Sequence, residues 1–93
     1  MTLPNGARGE VAAGLGGRTV RLCVTLGGLA ALESHFRVSG FEALAERMKT
    51  MGAGDLMVVL RALCVDPAEL DGLDIGFGEA LRAVVKAFEA MNG

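Results

Sequence analysis

The chain is predicted to be an α+β domain: an N-terminal two-stranded antiparallel hairpin packed against a bundle of about four helices. Three observations predict this. Apolar side chains alternate between residues 9 and 26, around a central Gly16-Gly17 pair. Beyond that point they recur at the three- and four-residue spacing of helices. Helix-start residues and glycine stops punctuate the second pattern. Ninety-three residues make a single core. Residues 1–8, with Pro4, Asn5 and Gly6 offering nothing to bury, are expected to be a mobile tail, and residues 9–93 the domain.

In the first expected strand, residues 9–15, Val11, Ala13 and Leu15 share a face. In the second, residues 18–26, Val20, Leu22, Val24 and Leu26 oppose Arg21, Cys23 and Thr25. Gly16-Gly17 supplies the positive φ that a tight hairpin turn requires. A hairpin alone is marginal in water, so its apolar face must meet helices. The first helix should start near Thr25 or Leu26, with Thr25 as its cap, and run to about Arg37 on a Leu29, Leu32, Phe36 stripe. Gly27 and Gly28 in its first turn each cost about 1 kcal/mol in a helix interior. Either close packing on the sheet or a slack helix start accounts for them.

Ser39-Gly40-Phe41-Glu42 has the spacing of a capping box and opens a second helix, with Phe41, Leu44, Ala45 and Met48 on one face. Asp55 is the expected cap of a third helix, residues 56–65, which is apolar nearly all round and has Arg61 as its sole charge. Such a helix is either enclosed by its own domain or covered by another protein. Asp66-Pro67-Ala68-Glu69 starts a short turn closed by Gly72. The last helix, residues 78–91, carries Leu81, Val84, Val85, Phe88 and Met91 on one side. Glu79, Arg82, Lys86 and Glu89 form a wet side with Glu79–Arg82 and Lys86–Glu89 pairs.

Composition narrows the function. Eleven acids against nine bases give a net charge of −2, which lacks the concentrated basic surface that nucleic acid binding needs. Residues 1–37 hold four Arg and two Glu, whereas residues 66–93 hold six acids and two bases; a solvated surface accounts for that asymmetry better than head-to-tail stacking of copies. No apolar run approaches the roughly 20 residues of a membrane span, and the start lacks the pattern of a signal peptide, so a cytoplasmic protein is expected. Cys23, Cys64 and His35 have neither metal-ligand spacing nor catalytic partners and are expected to be structural. The acids Asp66, Glu69, Asp71 and Asp74 lack EF-hand spacing, and the glycine clusters lack a phosphate-loop context. The second and third helices have a helix-turn-helix connection, but Arg61 alone cannot read a groove. No catalytic set, metal or cofactor is indicated.

Arg8-Gly9-Glu10-Val11, then Leu15-Gly16-Gly17-Arg18, then Thr25-Leu26-Gly27-Gly28-Leu29-Ala30-Ala31-Leu32-Glu33 together resemble the opening of the gene-transfer-agent tail assembly chaperone family. These are small proteins of phage-like tail gene clusters, sometimes named tail tube proteins. The likeness weakens over Phe41-Glu42-Ala43-Leu44-Ala45-Glu46-Arg47, and departs at Cys23 and at Val65-Asp66-Pro67. It implies a non-enzymatic factor that binds the tape-measure protein, keeps its helical apolar stretches soluble and helps recruit tail tube subunits. A structural virion component is the alternative; the helical C-terminal two-thirds favours the chaperone, since tube subunits are mostly β. A homo-oligomer is compatible with the sequence.

What the residues themselves offer is apolar surface. The third helix and the apolar side of the last helix are the expected client site, through Leu56, Met57, Val58, Arg61 and Met91. The competing reading is that the third helix simply fills a core poor in aromatics. The hairpin's outer strand, as an unpaired edge, is a second candidate surface.

Overall fold

The computed structural model describes residues 9–92; the expected tail, residues 1–8, and Gly93 lie outside the described residues. Strand β1 (Val11–Leu15) pairs antiparallel with β2 (Arg18–Leu22), in a register running from Val11 opposite Leu22 to Leu15 opposite Arg18. Gly16 and Gly17 both adopt positive φ, 58° and 83°, the primed-turn geometry that matches strand twist. The alternation is real: Ala13, Leu15, Val20 and Leu22 are buried. Four helices follow: α1 (Leu26–Phe36), α2 (Phe41–Met48), α3 (Ala53–Leu63) and, after a 3₁₀ turn at Pro67–Leu70, α4 (Phe77–Asn92). The α+β architecture is the predicted one.

The second strand stops four residues short of its expected end, and Leu26 is 86% exposed at the start of α1. Two contacts end it. The Cys23 N–H donates to the Leu63 carbonyl at 2.8 Å, and the Thr25 hydroxyl accepts the Gly28 N–H at 3.0 Å as the predicted cap. The outer edge of β2 is therefore partly taken, since Val65 N–H also donates to the Arg21 carbonyl at 3.0 Å. On the other side, the Lys86 ammonium donates to the Ala12 carbonyl of β1 at 2.7 Å.

Helix α3 lies at the centre. Leu56, Val59, Leu60 and Leu63 are all buried, and α1, α4, the 3₁₀ turn and the end of β2 pack around it. Two local readings give way here. Its cap is Gly52, with Asp55 inside the helix and its carboxylate accepting the Gly52 N–H at 3.1 Å. The Ser39 capping box does not form: Gly40 is the cap of α2, and its N–H donates to Glu33 Oε2 at 2.6 Å. At α2 a carboxylate of the preceding helix takes the place of the local hydroxyl, and at α3 the expected cap residue acts from the first turn of its own helix.

The wet side of α4 also has structural work. Glu79 accepts the Gly16 N–H at the hairpin turn and Lys86 holds β1, so the expected Glu79–Arg82 and Lys86–Glu89 pairs give way to long-range bonds. Two further arginines reach the segment around the 3₁₀ turn: Arg18 donates to the Glu69 backbone carbonyl and Arg61 pairs with Asp71, each at 3.2 Å. Cys23 and Cys64 are both buried thiols.

Gly28 is explained by α3, not by the sheet. A Cβ there would stand 2.9 Å from the Ala62 carbonyl oxygen, whereas one at Gly27 would meet only Thr25 Oγ1 at 3.9 Å. Backbone cannot yield as a side-chain tip can. Gly28→Ala should therefore destabilise by about 1–3 kcal/mol through overpacking, while Gly27→Ala should be neutral or gain up to about 1 kcal/mol; urea unfolding of the two variants checks the opposite signs.

A second tie between the same helices is polar. His35, in the last turn of α1, bonds Asp55 at 2.9 Å. That bond, helped by the Gly52 N–H, holds the Asp55 carboxyl below its usual 3.8. A depressed acid stabilises the fold above its unfolded value and loses that contribution as pH falls through its folded one. Asp55→Asn should accordingly melt below the wild type at pH 6, and the gap in Tm should close as the pH is taken below 3.8.

Candidate functional site: an apolar groove between α2 and α4

Helix α2 is seated on the core by one buried side chain, Leu44. Its other apolar residues, Phe41, Ala45 and Met48, face α4 across a gap. The opposite wall is Leu81, Val84, Val85 and Phe88 of α4; Met51 lies beyond the end of α2, and Lys49 and Glu89 supply the groove's two charges. The groove has a volume of 390 Å³. Phe41 is 47% and Val85 53% exposed, large values for side chains of their kind in a helical face. The walls touch where the Phe41 and Phe88 rings meet edge to face, 6.0 Å apart.

Phe41 also lines a second depression of 300 Å³, between α1 and α2, with Leu26, Leu29, Ala30, Glu33 and Leu44. The apolar surface thus runs from Leu26 over Phe41 to Val85. Contiguous apolar surface of this kind marks a contact face. The period of the sequence did place Phe41, Ala45 and Met48 on one face, and Leu81, Val84, Val85 and Phe88 on another. It gave no sign that the two faces would stand apart with a trough between them.

The five residues singled out from the sequence sit elsewhere. Leu56 is 3% exposed, in the core. Met57 is 37% exposed, and Val58 is half-buried. Arg61 is exposed and engaged with Asp71. Met91 is half-buried near the end of α4. None of them lines the groove.

Several titratable groups elsewhere are tied to backbone or to one another, while one carboxylate oxygen of Glu69 is buried without a hydrogen-bond partner among the described residues. Glu10 is 7% exposed and stands 3.9 Å from Arg21. It shares a depression of 240 Å³ with Cys23, Thr25 and Cys64. Burial, with the charges of Glu69 and Asp66, pushes the Cys64 thiol up from 9.0, and its Sγ donates to the Asp66 carbonyl at 3.2 Å. A thiol held protonated is a poor nucleophile. Among the described residues no group of three His, Cys, Asp or Glu is placed to hold a metal ion, and no helix is long and apolar enough to cross a membrane.

Fold and surface together define a small α+β domain with an open apolar groove. The chain belongs to the phage tail assembly chaperone family of gene-transfer-agent type: the family model described as "Phage tail tube protein, GTA-gp10" matches residues 8–71. The match spans the hairpin, α1, α2, α3 and the 3₁₀ turn; α4 follows it. No curated protein and no solved structure matches the chain.

Proposed function

We propose that the protein is a non-enzymatic, cytoplasmic assembly chaperone that binds the tape-measure protein of a phage-like tail and helps bring tail tube subunits to it. The observation that carries this reading is the α2–α4 groove, an apolar trough in a chain of the tail assembly chaperone family. A tape-measure chain has long amphipathic helices with nothing to pack against until the tube encloses them. One such helix would lie in the trough with its apolar stripe against Phe41, Met48 and Val85. Covering the exposed half of a Val or Phe contributes about 1 kcal/mol. Three or four such contacts make a site of roughly millimolar strength. Weak sites serve such a chaperone well, because many copies along one client hold it together by avidity, and each yields readily when a tube subunit arrives.

The family description names a tail tube protein, which supports a second reading, a subunit retained in the particle. Closing a ring through sheets needs accessible strand edges. Here the one hairpin among the described residues has Lys86 on β1 and the residues around Cys64 on β2, which supports the chaperone reading.

Co-expression with the neighbouring tape-measure gene tests the site. Val85→Asp should cut co-purification about tenfold or more, the cost of a charge against an apolar stripe, while Tm stays near that of the wild type because Val85 is 53% exposed. Met57→Asp, on the outside of α3, should leave capture unchanged; the reverse pattern would move the site to α3. Mass spectrometry of purified particles separates the two readings, with recovery far below one copy per tube subunit expected and stoichiometric recovery counting for the structural one.

A further inference from the structure

The groove is charged oppositely at its two ends. Glu89 follows Phe88, and Phe88 meets Phe41, the first residue of α2, so the acid marks that end. Lys49 closes the other wall just beyond Met48, two helical turns from Phe41, roughly 12 Å at 1.5 Å per residue. Both charges are available. The bond of Lys49 to Glu46, at 3.0 Å, joins side chains that are 68% and 74% exposed, an exposed pair that contributes little and exchanges freely. Glu89 makes no ion pair among the described residues. Between the two charges the surface is apolar, and Val85 stands proud of it at 53% exposure.

We propose that the groove closes on a second copy of this chain, in a two-fold-symmetric dimer with the grooves antiparallel. A two-fold axis through the middle of the groove exchanges its ends. Glu89 of each copy then shares an end of the interface with Lys49 of the other, twice over, and the Val85 ridges of the two α4 helices pack antiparallel against each other. Stacking the grooves in parallel would set Lys49 against Lys49 and Glu89 against Glu89, so the charges select the antiparallel arrangement. The self-complementarity is written in the chain's own two walls and asks nothing of any other partner. The dimer would hide the surface offered to the tape-measure protein, making self-association and client capture mutually exclusive. That last consequence rests on the function proposed above; the dimer itself does not.

Sedimentation velocity of the full chain, across a concentration series, at low and high salt, tests the dimer. The wild type should pass from monomer to dimer as concentration rises, with a Kd that weakens as salt is added. Lys49→Glu and Glu89→Lys should each raise that Kd about tenfold or more, and the double exchange should return it to within a few-fold of the wild type. Because the two residues lie at opposite ends of the groove, such rescue reports contact between copies. Melting curves confirm that all three variants fold, as substitutions at exposed ends should. A wild type that stays monomeric up to about 1 mM overturns the proposal, and so does a dimer indifferent to both exchanges. A chain that remains monomeric yet captures the tape-measure protein through Val85 overturns the dimer and leaves the client reading standing. A dimer with charge rescue that captures no tape-measure protein supports the dimer and counts against the client reading.

Discussion

A helix that is apolar on nearly every side has to be enclosed, and the fold is the enclosure this chain builds around α3. The hairpin end reaches it through backbone bonds from Cys23 to Leu63 and from Val65 to Arg21. Helix α1 comes so close at Gly28 that a methyl group would collide with the Ala62 carbonyl, and the His35–Asp55 bond fixes the same two helices further along. Helix α4 closes another side while gripping the hairpin through Glu79 and Lys86. Each of Leu56, Val59, Leu60 and Leu63, once covered, contributes about 1.5–3 kcal/mol. Losing any one of these contributions would remove a sizeable part of the roughly 5–15 kcal/mol by which a domain exceeds its unfolded chain.

The same constraint explains where the groove falls. With α3 claiming α1, α4 and the hairpin, α2 is left with a single buried anchor, Leu44, and a ring contact to α4 through Phe41 and Phe88. A wall held at one end and by one leucine leaves a trough along the rest of its length. Of the apolar residues that border it, Met48 and Leu81 pack only partly against the core and Val85 is exposed. The groove is surface of the kind a tail assembly chaperone would offer, while Glu33, Asp55, Glu79, His35 and Cys64 are held in caps, clamps and helix ties.

Much of this was legible in the residues. The period of two around Gly16-Gly17 reads as the hairpin because its partners are neighbours in sequence. Thr25 and Asp66 cap where expected because their hydroxyl and carboxylate face amides two or three residues on. Misreadings arise where a distant group competes. Glu33 engages the Gly40 amide where a Ser39 cap is expected, Gly16 and Ala12 take the charges of Glu79 and Lys86, and Asp55 bonds His35, twenty residues away, from inside its helix. The residues expected to form the client site and the groove part company for a related reason. Lack of charge from residue 56 to 65 signals burial and contact alike, and only packing decides between them. The family resemblance, carried by residues 8–33 and matched by a family model over 8–71, lay in the part of the chain whose contacts are most local.

The central claim is that partners meet this protein across α2 and α4, with α3 committed to the interior. Site-specific photo-crosslinking in cells expressing the tail gene cluster tests it most directly, with a benzophenone side chain at Val85 in one strain and at Met57 in another. The account predicts crosslinks to the tape-measure protein or to a second copy from Val85 and none from Met57. Crosslinks from Met57 with a silent Val85 would contradict it.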